Sequence, residues 1–268
     1  MNDRVVPDRD VPGAFWVRFG PTSQSWVDPE RPDFLAFEYV QHIAMALDHT
    51  VFRGPASERQ RVVHIGGGGM SLPRWVAWRR PGTAQIVCEP DTELTAEVRR
   101  KIPLPPRSGI KVRDVDGRTG LAAMPELWAD AVIVDAFDGA QVPGELATDE
   151  ALGEVRRVLR GDAVAIFNVT DRSPFVWSKR LAAGLAGRWR HLLIGMEPVV
   201  AKGKRFGNLV LVASDTRPDV AGIERASARL TIGYRWIAGR EATSWHGGTS
   251  PMVDGDAEPS PGPLGRGW

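Results

Sequence analysis

An apolar run that breaks into four consecutive glycines, residues 62–70 reading VVHIGGGGM, constrains this chain more than any other feature. A β-branched run followed at once by glycines and a helical pattern describes a strand, a tight turn and a helix start. Glycine lets the backbone turn where a Cβ would clash and lets a ligand approach the main chain, while a helix start offers unpaired N–H groups. On these residues a nucleotide or nucleoside lies against Gly66, Gly67, Gly68 and Gly69; a bland glycine-rich turn is the alternative. The dinucleotide fingerprint is not met, because Gly66 and Gly68 supply its first two positions and Ser71 stands at the third.

The same alternation continues downstream. Apolar, β-branched runs at 61–65, 84–89, 110–113, 131–134, 163–169, 191–196 and 208–213 alternate with helical patterns, which predicts an α/β fold with a mostly parallel sheet. The last two runs are joined by GMEPVVAKGKRFGN, which has no helical pattern, so they are expected to pair antiparallel as a hairpin. Phe34, Phe37, Val40, Ile43, Ala44 and Leu47 recur at helical spacing behind Pro32 and Asp33, predicting a helix over 33–48. Another helix covers 72–79 with Ser71 as its cap, one near 147–160 stops at Gly161, and one begins at Ser173 and Pro174. Phe15, Val17 and Phe19 alternate with Trp16 and Arg18 as an edge strand would. The organisation read from this is an amino-terminal arm and helix over 1–50, one main domain over 51–240, and a flexible glycine- and proline-rich tail over 241–268.

Composition removes several functions. Thirty-four basic and thirty-three acidic side chains leave a net charge of +1, so no overall field draws the chain to nucleic acid or lipid. Cys88 is the only cysteine, and the five histidines are scattered without metal-ligand spacing, so neither a disulfide framework nor a metal site is expected. No apolar run approaches the roughly 20 residues that span a bilayer, and the start MNDRVVPDRDVPG has no basic segment leading an apolar core. These features place the chain in the cytoplasm, off the membrane. No G-x-S-x-G surrounds Ser71, which excludes a nucleophile elbow. Arg156, Arg157, Arg160, Arg180, Arg188 and Arg190 are read as solvated helix faces rather than a nucleic-acid patch, and the ten tryptophans as core or the face of a homodimer.

Four acids fall where parallel strands end, the edge on which α/β proteins collect ligands. Glu89, in QIVCEPD, follows the second strand about 20 residues past the glycines, where an acid accepts hydrogen bonds from ribose hydroxyls. Asp91 two residues on suits a helix cap. Asp116 and Gly117, in RDVDGRTG, offer a short acceptor for an adenine amino group or form a plain Asp-Gly turn. Asp135 and Asp138, in AVIVDAFDG, make an anionic pocket suited to an amine, which an ionised carboxylate can hold and deprotonate.

The succession IGGGG, CEPD, DGR and VDAFDG, followed by a helix and the strand AIFNV, resembles the core of the spermidine synthases. The closing GNLVLVAS is similar to the final antiparallel strand of their seven-stranded, methyltransferase-like, Rossmann-like sheet with helices on both faces. The match runs over about residues 20–215. It implies a transferase of polyamine biosynthesis that binds S-adenosylmethionine or its decarboxylated form, without a metal, and moves an aminopropyl group to an amine acceptor. By the resemblance Glu89 holds the ribose, Asp116 the adenine, Asp135 is the catalytic base and Asp138 binds the amine. Gln24, in TSQSW, matches a glutamine near the sulfonium, and Tyr39, in FEYVQHI, a tyrosine lining the acceptor tunnel.

The chain also departs from that pattern. Gly69 stands where the family has an aspartate for the aminopropyl ammonium, and Val40 and Gln41 stand where it has a His-Glu pair. The amino-terminal sheet is shortened. Each loss removes negative charge from a polycation pocket, where an unpaired ammonium is costly. Methyl transfer from intact S-adenosylmethionine, a nicotinamide-dependent oxidoreductase and a catalytically silent nucleoside-binding protein are the competing readings.

Overall fold

A computed structural model describes residues 3–20 and 22–263. The chain opens with β1 (Val5–Pro7), β2 (Phe15–Phe19) and β3 (Thr22–Val27), which form a small antiparallel sheet with β2 in its middle rather than at an edge. Val5, Val17 and Val27 pack it onto Leu94, Val98 and Ile102 of the main domain. Helix α1 (Glu38–Asp48) starts five residues later than its periodicity predicts. Phe34 instead sits edge-on against Trp26 and Phe37 against Trp16, so aromatic contacts to the hairpin draw the first apolar positions out of the helix.

The main domain then runs β4 (Arg61–Ile65), α2 (Ser71–Arg79), β5 (Ala84–Cys88), α3 (Thr92–Lys101), β6 (Ile110–Arg113), α4 (Gly117–Ala122), β7 (Ala129–Val134), α5 (Asp149–Val158), β8 (Leu159–Asp171), α6 (Val176–Arg188), β9 (His191–Met196), α7 (Pro198–Ala201), β10 (Gly207–Ser214), α8 (Val220–Ser227), β11 (Arg235–Ile237) and α9 (Gly239–Thr243). The sheet order is β11-β9-β10-β8-β7-β4-β5-β6. Strands β6, β5, β4, β7 and β8 are parallel, and β10 lies antiparallel between β8 and β9. All seven expected strands are present, with the β9–β10 hairpin, and β11 adds an eighth that sequence pattern did not mark.

Alternation along the strands explains the layers. Val63, Ile65, Val132 and Val134 face one apolar cluster with α5 and α6, while Val62, Ala131, Ile133 and Ile166 face a second with α1, α2 and α8. Three further helix boundaries differ from expectation, and one of them is α6, which begins at Val176 behind the left-handed Phe175 rather than at Ser173 and Pro174. The cap of α2 is Met70 in a left-handed conformation, with Ser71 already helical. Helix α5 ends at Val158 and passes into β8 with no turn, so Gly161 lies within a strand; Thr148 caps its start through the Ala151 amide.

The arginines singled out in sequence are mostly consumed internally. Arg156 pairs with Asp215, Arg160 with Asp130, Arg180 with Asp256 and Arg188 with Asp149, and Arg157 binds Glu154 and two carbonyls. Among the described residues no helix is long and apolar enough to cross a membrane, and no cluster of His, Cys, Asp and Glu could hold a metal. Residues 241–263, expected as a flexible tail, are packed on the body: Met252 is 1% exposed and Ser260 fully buried.

Candidate active site

A cavity of about 750 Å³ opens at the carboxyl ends of the parallel strands, over β4 and β7. Strand order reverses there, because β5 and β6 continue from β4 to one side and β7 and β8 to the other. Neighbouring crossovers then leave in opposite directions, and a crevice remains between them.

The glycine loop forms its floor. The Gly66 amide extends the ladder by donating to Cys88 O at 2.9 Å, and the Asp135 amide donates to Ile65 O at 2.9 Å. Gly66 has φ +94°, and a Cβ there would stand 2.3 Å from Asp135 O, so only glycine permits this approach of the two loops. A Cβ at Gly67 would meet Val87 and Glu89 at 3.1–3.3 Å. Gly66, Gly67 and Gly68 line the cavity; buried Gly69 does not, and faces the hairpin, where a Cβ would meet Ser25 Oγ at 2.8 Å, Val27 Cγ2 at 2.9 Å and Val17 Cγ2 at 3.0 Å.

Glu89 changes how the loop works. Its Oε2 accepts from the Gly67 and Gly68 amides at 2.8 and 3.2 Å, and its Oε1 accepts from the Asp91 amide at 3.0 Å. The loop amides that sequence reading offered to a ligand are spent on this carboxylate. What remains is a fixed pair of acceptor oxygens on the cavity wall, suited to hydroxyl donors and hostile to a pyrophosphate. Asp91 caps α3 through the Leu94 amide and pairs with Arg4, so its role is structural.

Asp116 caps α4, accepting from the Thr119 amide at 2.9 Å and the Thr119 hydroxyl at 2.7 Å, and these bonds hold its carboxyl below the ordinary value. It still lines the cavity, next to Gly117, whose missing side chain makes room for Ile65 and Leu146.

Across the loop, Asp135 leaves the end of β7 enclosed by protein except toward the cavity. Desolvation pushes its carboxyl up to about 6, against the opposing hydrogen bond from Asn168 Nδ2 at 2.8 Å. Asn168 is fully buried in β8, and its Oδ1 has no partner, so the amide is aimed at Asp135 alone. Asp138 is exposed, in a turn closed by two backbone bonds with Gln141, and its carboxylate makes no hydrogen bond or ion pair among the described residues. Tyr39 lines the same end, and burial, then the Asp135 and Glu38 charges, hold its phenol well above the usual value. Gln24 Nε2 donates to Gly139 O at 3.5 Å, so the amino-terminal sheet reaches over the cavity to the loop of Asp138.

Three charged residues that sequence reading passed over also line this end. Glu38 precedes Tyr39; Glu197 follows β9 on the same carboxyl edge, 8% exposed, and pairs with Arg205 at 2.5 Å. The strand-end rule that picks out Glu89 and Asp135 also picks out Glu197, whose strand the sequence pattern marks only as half of a hairpin. Asn168 carried a signal too, as an amide in the otherwise apolar AIFNV.

No model of a known protein family matches the chain. It is 24% identical over 200 residues to the polyamine aminopropyltransferase of Neisseria meningitidis, covering 70% of this chain and 72% of that protein. Its fold superposes on a probable spermidine synthase from Corynebacterium glutamicum with a TM-score of 0.87 at 24% identity, covering 93% of this chain and 92% of the other. A human methyltransferase-like protein 13, solved in complex with SAH, superposes with a TM-score of 0.59 at 18% identity, covering 71% and 92%. The methyltransferase-like fold expected from the sequence is the one observed.

Proposed function

We propose that this chain, which resembles the spermidine synthases in its motif order and its fold, is a transferase that binds an adenosyl sulfonium, S-adenosylmethionine or its decarboxylated form, and moves an aminopropyl group to an amine. The carrying observation is the pair of acids across one glycine loop. Glu89 is a fixed hydroxyl acceptor on the loop amides, and Asp135, whose main chain packs against Gly66, carries a desolvated carboxylate into the same cavity.

The residues fit an adenosyl group. Bare main chain at Gly66 to Gly68 lets its flat parts approach, Glu89 meets two vicinal hydroxyls, and Asp116 stands ready for an exocyclic amine. The carboxylate on the loop amides disfavours a nicotinamide dinucleotide, whose pyrophosphate would need those amides. When bound, the sulfonium supplies an already electrophilic carbon, so the protein's part is alignment and charge.

That part falls to the acidic end. Asp138, with no partner of its own, and Glu38 attract an ammonium and hold it beside Tyr39. Asp135, ionised, accepts a hydrogen bond from the attacking nitrogen and takes its proton as the new bond forms. Asn168 fixes the rotamer of Asp135 by donating to one oxygen, leaving the other for the substrate. The Tyr39 phenol stays protonated throughout and serves as a donor or an apolar wall.

Incubation with decarboxylated S-adenosylmethionine and a panel of diamines should release methylthioadenosine in step with loss of the amine. Release of S-adenosylhomocysteine from intact S-adenosylmethionine, with no turnover of the decarboxylated form, would refute aminopropyl transfer. A second expected result concerns the nucleoside alone: Glu89→Gln should weaken methylthioadenosine binding by about 10-fold or more, since one neutral acceptor replaces two charged ones. Unchanged affinity in a calorimetric titration would remove Glu89 from the site.

A further inference from the structure

Residues 249–263 cross the outside of the cavity wall and touch it at both ends. Asp254 makes a two-pronged pair with Arg118 at 3.0 Å and accepts from the Thr148 hydroxyl at 2.7 Å, and Arg118 lines the cavity beside Asp116. Met252 runs parallel to Thr148 and accepts from the Asp149 amide at 2.7 Å. Glu258 O accepts from the Trp177 indole at 2.8 Å, and Gly144 lies so close that a Cβ on it would stand 2.4 Å from that oxygen.

The contacts converge on Ser260. Its amide donates to Val142 O and its hydroxyl accepts from the Val142 amide, both at 2.9 Å, so the serine grips both polar groups of one loop residue. Gln141 Nε2 donates to Ser260 O at 2.5 Å, and the Thr170 hydroxyl lies 3.3 Å from both Ser260 Oγ and Ala140 O. Gln141 in turn closes the turn that carries Asp138. Ser260 is fully buried, and so is an unusual place for a hydroxyl unless its bonds matter.

We propose that Ser260, carried by this strap, is a positioning residue that holds the 138–146 loop where Asp138 meets the amine. This rests on the reading of the cavity as an amine-accepting site. Loops of small residues are otherwise the least stable parts of a fold, and Asp138 has no side-chain partner to fix it. Asp135, at a strand end and held by Asn168, does not depend on the strap.

The division of labour predicts a split in kinetics. Ser260→Ala should raise KM for the amine about tenfold, leave KM for the sulfonium substrate unchanged and keep kcat within about threefold. Gln141→Ala, which removes the loop's side-chain bond to the Ser260 carbonyl and leaves the serine hydroxyl in place, should move the amine KM in the same direction. Asp256→Ala breaks the strap's pair with Arg180 away from the loop and should change neither KM. Amide exchange supplies a readout independent of turnover: in Ser260→Ala, exchange should accelerate at Val142 and its loop neighbours and stay unchanged in β4 and β7. An amine KM that stays put, a rise in both KM values together, the same rise in Asp256→Ala, or unaltered loop exchange would each overturn the proposal. If the wild-type chain turns over no amine at all, the functional reading fails, while the exchange measurement still decides whether Ser260 holds the loop.

Discussion

Asp135→Asn is expected to lower turnover by about 10²–10⁴-fold, the usual contribution of a positioned base, while leaving methylthioadenosine affinity within about threefold. The asparagine can present its amide oxygen to Asn168 Nδ2, so the geometry survives and only the proton acceptor is lost. The pH dependence follows from the raised carboxyl. A base works ionised, so kcat/KM of the wild type should be level above about pH 6 and fall about tenfold per pH unit below it. A rate that is flat from pH 5 to 8, or retained in Asp135→Asn, would refute the assignment. Stability should move the other way. A carboxyl raised from 3.8 to about 6 in the folded state favours its protonated form, a stabilisation present below about pH 4 and lost as pH rises through about 6. Asparagine does not ionise, so at pH 7 the variant should be more stable than wild type by an amount on the order of 2–3 kcal/mol and melt at a higher temperature, with the gap closing in acid. Equal melting at both pH values would show that the carboxylate is not desolvated.

Gly69→Asp, which would place here the aspartate expected from the resemblance to spermidine synthases, is expected to destabilise the protein by about 3 kcal/mol or more, by overpacking and by burying a charge. The Cβ alone would press on Ser25, Val27 and Val17, and the carboxylate beyond it would be driven against the amino-terminal sheet. A melting temperature lowered by roughly 6–12 °C is the corresponding shift for a chain of this size. Relief should come from opening the hairpin, which carries Gln24 over the cavity, so nucleoside affinity should fall with stability. A variant that folds as well as wild type and gains affinity for the decarboxylated cofactor would show that the sheet yields and the ammonium site can be rebuilt. As the structure stands, absence of that acid is built into the packing: the glycine is where the amino-terminal sheet seats itself on the loop.

The framework was legible because its signals are local. Each parallel strand is a short β-branched run, and a tight loop at the strand end announces itself when glycines follow one directly, of which Gly66, Gly67 and Gly68 line the cavity. That Glu89, Asp116 and Asp135 line one cavity was within reach for the same reason, since a strand end fixes where the next side chain points. What stayed hidden depends on distant partners. Helix α1 gives up its first turn because Phe34 and Phe37 find Trp26 and Trp16. Strand β11 has three residues and pairs only with β9, too short to carry a pattern of its own. The strap looks like a tail because Gly and Pro dominate it, yet its order comes from main-chain and small-hydroxyl contacts that hydrophobic periodicity does not register. The loop amides were expected to face a ligand, and only the structure shows Glu89 occupying them.

One titration bears most directly on the claim that the glycine loop and its acids clasp an adenosyl group. Isothermal calorimetry of the wild-type chain with methylthioadenosine should give saturable binding at one site per chain, weakened about 10-fold or more in Glu89→Gln and hardly altered in Asp135→Asn. Absence of binding to methylthioadenosine and to both forms of S-adenosylmethionine, or binding that Glu89→Gln leaves untouched, would contradict it.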